Sequence, residues 1–158
     1  PKRFNGYMEL YNVRVISKLK LPDWFKGLLC FDRSILPKGL ELPENFDGKL
    51  SFDNLIIPED LKFQEVFNGT LSFCKLKVSE VLILPKKING KLEFNEVTIS
   101  DKFKLPETVN GTLKIVNSTI EGHLKLPENG DYNFEVDESI DLSCFDIPDS
   151  VHSKIIRC

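Results

Sequence analysis

The stretch Pro85-Lys-Lys-Ile88-Asn-Gly90-Lys-Leu92-Glu-Phe94-Asn-Glu-Val97-Thr-Ile99-Ser-Asp-Lys-Phe103-Lys-Leu105 is followed by Pro106-Glu-Thr-Val109-Asn-Gly111-Thr-Leu113-Lys-Ile115. The second run repeats the first at an offset of 21 residues. That offset governs the whole chain. Pro1, Pro22, Pro43, Pro85, Pro106, Pro127 and Pro148 share one phase, broken only by Gln64, and Pro37 and Pro58 share another. Gly6, Gly27, Gly48, Gly69, Gly90 and Gly111 keep the same period. A fixed period of this length marks a stacked-repeat architecture.

Folded at 21, the sequence yields columns of apolar residues. One holds Phe4, Phe25, Phe46, Phe67, Ile88 and Val109; another Met8, Leu29, Leu50, Leu71, Leu92, Leu113 and Phe134; a third Leu10, Phe31, Phe52, Phe73, Phe94, Ile115 and Val136. Within a repeat the apolar residues pair at spacings of two, the period of a strand, and nothing runs at 3.6. The expected fold is therefore all-β: a β-solenoid with one 21-residue coil per repeat, about 7.5 coils, carrying three short strands per coil. Gly-x-Leu-x-Phe would form the first face, Val-x-Ile the second and Leu-x-Leu-Pro the third. Asn-Gly and Asp-Gly favour positive φ and predict a tight turn before the first face. At a strand spacing of ~4.8 Å the rod would be roughly 36 Å long.

A single domain is expected, with residues 1–129 regular and residues 130–158 an irregular last coil and C-terminal cap. Tyr132 stands in the glycine column and Asp141 in an apolar one, as a coil facing water permits. The first coil shows no such decay and the chain does not begin with Met, so an upstream continuation is expected.

Composition narrows the function. Of 158 residues, 41% are hydrophobic and 28% charged, with 21 basic against 24 acidic residues. The interspersed charge argues against a general nucleic-acid binder, and no apolar run is long enough to insert in a membrane. His123 and His152 lack neighbouring ligands at metal spacing. Asp137, Glu138 and Asp141, the acidic cluster, fall in the cap. No phosphate loop or nucleophile elbow occurs, and the period is not the ~18 that hexapeptide acyltransferases need. No catalytic residue, metal or cofactor is expected. Cys30, Cys74, Cys144 and Cys158 occupy three phases, and the two that share one lie four coils apart. No intrachain disulfide is expected, which favours a reducing compartment. The sequons at Asn68, Asn110 and Asn117 point the other way, though two are simply the repeated turn.

The run Leu105-Pro-Glu-Thr-Val-Asn-Gly-Thr-Leu-Lys-Ile resembles the Leu-Pro-x-x-Leu-x-x-x-Leu-x-Leu repeats of bacterial leucine-rich-repeat proteins, including the effectors that enteric pathogens inject into host cells. The resemblance implies protein recognition and, as the alternative fold, a horseshoe. The chain departs from that consensus: Val13, Leu55, Leu76, Val97 and Ser118 occupy the column where the family places Asn.

Recognition by a strict solenoid must use its outward columns. Ile35 and Ile56, with Trp24 and Leu28 nearby in the sequence, make the apolar candidate. Lys62, Lys104 and Lys125, in a column that also holds Lys20, make a basic candidate. The expected function is a non-catalytic scaffold that binds another protein, part of a larger effector-type protein. A carbohydrate-binding or carbohydrate-active β-helix or adhesin is the alternative, and a structural spacer a third reading.

Overall fold

Stacking like residues of successive repeats requires each strand to pair in parallel with the strand one turn later. The computed structural model, which describes residues 2–158, has this arrangement: a β-solenoid of about seven turns. Coils are counted from the proline phase, so coil 2 starts at Pro22 and coil 4 at Gln64. Each coil gives one strand to an eight-stranded parallel sheet: Arg3–Tyr11, Trp24–Asp32, Asn45–Asp53, Val66–Cys74, Lys87–Asn95, Thr108–Val116, Tyr132–Val136 and Ile155–Arg157. The register is the repeat itself, with Leu29 opposite Leu50, Phe52 opposite Phe73 and Leu92 opposite Leu113.

The interior follows from that register. Identical side chains one strand apart can stack flat. Phe31, Phe52, Phe73 and Phe94 do so, with ring centroids 5.5, 5.6 and 5.4 Å apart and rings within 18° of parallel. A second ladder runs Phe4, Phe25, Phe46 and Phe67 at 4.9, 5.4 and 5.4 Å. Between them Leu29, Leu50, Leu71, Leu92 and Leu113 are fully buried. Such aromatic pairs contribute about 0.5–1.5 kcal/mol each beyond the area they bury.

The predicted turn at Asn-Gly takes a different form. The glycines lie inside continuous strands, most of them nine residues long, and not between two strands. Gly69 and Gly90 have φ of +114° and +133°, which bends the strand while its hydrogen-bonded ladder continues. A β-carbon on Gly90 would lie 2.1 Å from the carbonyl oxygen of Gly69. The asparagines have their own reason. Asn110 Nδ2 donates to Asn89 Oδ1 and Asn89 Nδ2 to Asn68 Oδ1, both at 2.9 Å, forming a ladder along the outside of the bend. In the same column Lys26 pairs with Asp47 at 3.6 Å.

The main strand ends at a left-handed corner. Asn12, Arg33, Asn54, Lys75, Glu96 and Asn117 all have φ between +49° and +54°. The N–H of each of the first five donates to a carbonyl one coil on, as Asn54 does to Cys74. This coil-to-coil bond holds even Arg33, Lys75 and Glu96 in a conformation that ordinarily disfavours side chains. Ser34 and Ser118 interrupt an apolar column for the same corner. Ser34 Oγ accepts from Val13 N–H and donates to the Leu10 carbonyl, so its burial leaves no polar atom unpaired.

The other two sides are far less regular than three equal strands would be. The second has two-residue strands at Lys77–Val78, Thr98–Ile99 and Thr119–Ile120, plus an Arg14–Ile35 bridge. The third has Leu124–Lys125 paired with Phe145–Asp146, and single bridges from Lys20 to Glu41 and from Glu41 to Lys62.

The C-terminal coil departs from the repeat. Tyr132 can replace glycine because the bend has moved to Gly130, at φ +102°. The ring of Tyr132 is buried and its hydroxyl donates to the Pro127 carbonyl at 2.8 Å. Ile140 is buried, while its neighbour Asp141, in the core phase, is exposed. A one-residue slip exchanges inward and outward side chains. The chain then makes a short helix, Asp149–His152, and Arg157 closes the end by donating to the Ile140 and Glu138 carbonyls.

Candidate interaction surface

The side chains with catalytic or ligating chemistry are used structurally or stand apart. Asp137 accepts hydrogen bonds from the Asn117 N–H and from the Ser139 N–H and hydroxyl, tying coil 6 to the cap. Burial pushes its carboxyl up, but these donors outweigh burial and hold it below the usual range. Asp141 accepts from the Ser143 N–H at 2.9 Å, and that bond likewise lowers it. His123 and His152 are exposed. Among the described residues no group of three or more His, Cys, Asp or Glu side chains could hold a metal ion, and no helix is long and apolar enough to cross a membrane. All four cysteines are free. Burial, with Asp53 alongside, pushes the Cys74 thiol up to about 11. Burial and Glu9 raise Cys30 as well. Raised thiols are poor nucleophiles.

The lowered carboxyls give the cap a pH dependence. The unfolded chain takes up protons at higher pH than the folded one, so the stabilisation is complete above about pH 5 and is lost as pH falls through the folded values. Thermal unfolding should show wild type losing stability below about pH 4. Asp137→Asn should start less stable at pH 6 and converge on wild type by about pH 2. A constant gap between the two would contradict this.

The outward residues of the second side carry the clearest apolar surface. Ile35 and Ile56, on adjacent coils, are 58% and 90% exposed. They lie in a groove of about 660 Å³ floored by Leu36, Leu55, Ile57 and Pro58. Its rim is charged in balance, by Arg33 and Lys38 against Glu59 and Asp60. Ile16, in coil 1, is also exposed. Trp24 and Leu28 do not join this surface. They belong to the main strand of coil 2, are only half exposed, and lie before the left-handed corner that turns the chain toward Ile35. Sequence proximity within one coil placed them together; the corner at Arg33 puts them on another side.

The basic column is real but not a continuous positive field. Lys20 and Lys62 flank Glu41, which also pairs with Lys18 at 3.3 Å. Lys125 pairs with Glu128 at 2.6 Å and lies opposite Asp146. Ile83 interrupts the series. Of the three lysines singled out in the sequence, only Lys125 has a salt-bridge partner among the described residues; Lys62 lies beside Glu41 in the strand bridge, and neither it nor Lys104 has a direct pair. Comparison with protein families, curated proteins and solved structures finds no match for this chain.

Proposed function

We propose that the chain is a non-catalytic scaffold that recognises another protein through the isoleucine groove on the second side of coils 2 and 3. The observation that carries this reading is the exposure of Ile35 and Ile56 on neighbouring coils across one groove. Contiguous exposed apolar groups rimmed by polar ones are characteristic of contact surfaces. The partner presents an apolar side chain to the groove, and the balanced rim charges fix its orientation. The resemblance of the Leu-Pro repeats to bacterial leucine-rich-repeat proteins supports the same reading. The mixed lysine column keeps a parallel face soluble, a role that exposed charges on strands serve widely.

The test compares Ile56→Glu with Lys104→Glu, each confirmed as folded by circular dichroism. Both positions are exposed, so stability should change by no more than about 0.5 kcal/mol. Proteins captured from lysate by the wild-type chain should be retained by Lys104→Glu and lost by Ile56→Glu, with affinity falling at least about tenfold. Survival of binding in Ile56→Glu with loss in Lys104→Glu would assign recognition to the basic column.

A further inference from the structure

The isoleucine groove lies where the strand ladder of the second side is open. Coils 1 and 2 exchange backbone hydrogen bonds on that side: Ile35 N–H donates to the Val13 carbonyl at 2.9 Å and Val15 N–H to the Ile35 carbonyl at 3.0 Å. Coils 4, 5 and 6 pair through Lys77–Val78, Thr98–Ile99 and Thr119–Ile120. Coil 3 is the exception. Among the described residues, Leu55, Ile56 and Ile57 make no backbone hydrogen bond to coil 2 or coil 4, and no bridge joins Ile56 to Ile35 or to Lys77.

A proline stands at the opening. Where the ladder is complete, the residue leaving it donates back to the preceding coil: Ser100 to the Val78 carbonyl at 3.0 Å and Glu121 to the Ile99 carbonyl at 2.8 Å. In the same phase coil 3 has Pro58, which has no N–H to give to the Leu36 carbonyl. The open groups of coil 2 are directed at this gap. In a parallel ladder, successive residues of a strand turn their N–H and C=O groups to opposite neighbours. Ile35 gives both of its groups to coil 1, so the Ser34 carbonyl and the N–H and carbonyl of Leu36 are directed toward coil 3. None of the three has a backbone partner there among the described residues. Ser34, Leu36 and residues 55–57 line the same groove of about 660 Å³.

We infer that the partner enters this groove as an extended peptide with apolar residues two apart, adding a strand in parallel to coil 2. The inference rests on the assignment of recognition to the isoleucine groove and adds the conformation of what is recognised. A parallel strand offers N–H, C=O and N–H in turn, which complements Ser34 C=O, Leu36 N–H and Leu36 C=O. A helix has its backbone groups bonded internally and would leave all three unmet. In such strand addition the main-chain bonds give affinity, and Ile35 and Ile56 select apolar side chains.

The probe is the chain's own second-side segment, residues 95–102, as a capped and fluorescein-labelled peptide, because Thr98 and Ile99 pair in this way with coils 4 and 6. Its control carries N-methyl groups on Thr98 and Ser100, the amides that donate to Leu76 and Val78 in the folded chain; every side chain is unchanged. Fluorescence anisotropy with the intact chain should show saturable binding of the plain peptide, and binding at least about tenfold weaker for the methylated one. Pro58→Ser, which restores an N–H at that position, should weaken the plain peptide several-fold, and Ile56→Glu should weaken both peptides, each variant being confirmed as folded by circular dichroism. Equal binding of the two peptides, or no saturable binding of the plain one, would overturn the extended mode while leaving the groove assignment to its own test. Affinity for the plain peptide unchanged in both Pro58→Ser and Ile56→Glu would place its site elsewhere and overturn the inference.

Discussion

Gly90→Ala should disrupt the middle of the solenoid, although it adds a single methyl group. The β-carbon would sit 2.1 Å from the Gly69 carbonyl oxygen and 2.9 Å from its carbonyl carbon. Those atoms are backbone in the preceding coil's ladder and cannot turn aside as a side chain would. The residue would also carry a side chain at φ +133°. We expect a loss above about 4 kcal/mol, the range reserved for a steric or backbone conflict in a core. Gly39→Ala is the control. Its φ is +68° and nothing lies within 4 Å of the added atom, so only the left-handed penalty of about 1–2 kcal/mol applies. Urea unfolding of the two variants should separate them clearly. Similar midpoints would mean that the bend can shift to accommodate a side chain.

Phe73→Ala carries the second large effect. Phe73 is fully buried and stacked at 5.6 Å on Phe52 and 5.4 Å on Phe94. Truncation removes two stacked contacts and opens a cavity that rigid parallel strands cannot collapse around. A loss of about 3–5 kcal/mol follows. Phe4→Ala should cost much less, since Phe4 is only partly buried and has a ring partner on one side alone. Because each coil touches only its neighbours, the Phe73→Ala transition should also broaden or split as the two halves of the rod uncouple. A sharp transition at the wild-type midpoint would mean that the ladder contributes little.

Each of these effects traces to a column readable in the sequence, yet the columns were not equally informative. The phenylalanine and leucine columns led directly to the core, because burial on one side of a strand leaves a period of two. Ile35 and Ile56 were recognisable as outward residues for the same reason, and both prove exposed. The grouping of Trp24 and Leu28 with them failed, since spacing along one coil does not show where the chain turns. The left-handed corner was half visible. Asn12, Asn54 and Asn117 are residues that tolerate it, whereas Arg33, Lys75 and Glu96 give no local sign and are held there by the coil-to-coil hydrogen bond. Asn-Gly misled in form, because the same positive φ serves a hairpin turn or a bend within a strand. The choice belongs to the neighbouring coils, which continue the ladder through it.

The sequence by itself determined the period, the stacking of one coil per repeat and the identity of the core. All of these follow from repetition and burial, which a one-dimensional pattern records. Only the tertiary structure decided that one long bent strand dominates each coil and that Ile140 exchanges places with Asp141. It alone showed that the ladder between coils 3 and 4 begins only at Asp47–Asn68, two residues later than between coils 2 and 3. A single glutamine in place of proline announces that position in the sequence, but no residue type states whether a strand ladder closes. The closing of a strand ladder is a property of two coils together: it depends on whether Val66 N–H reaches the Glu44 carbonyl, and that bond is not formed.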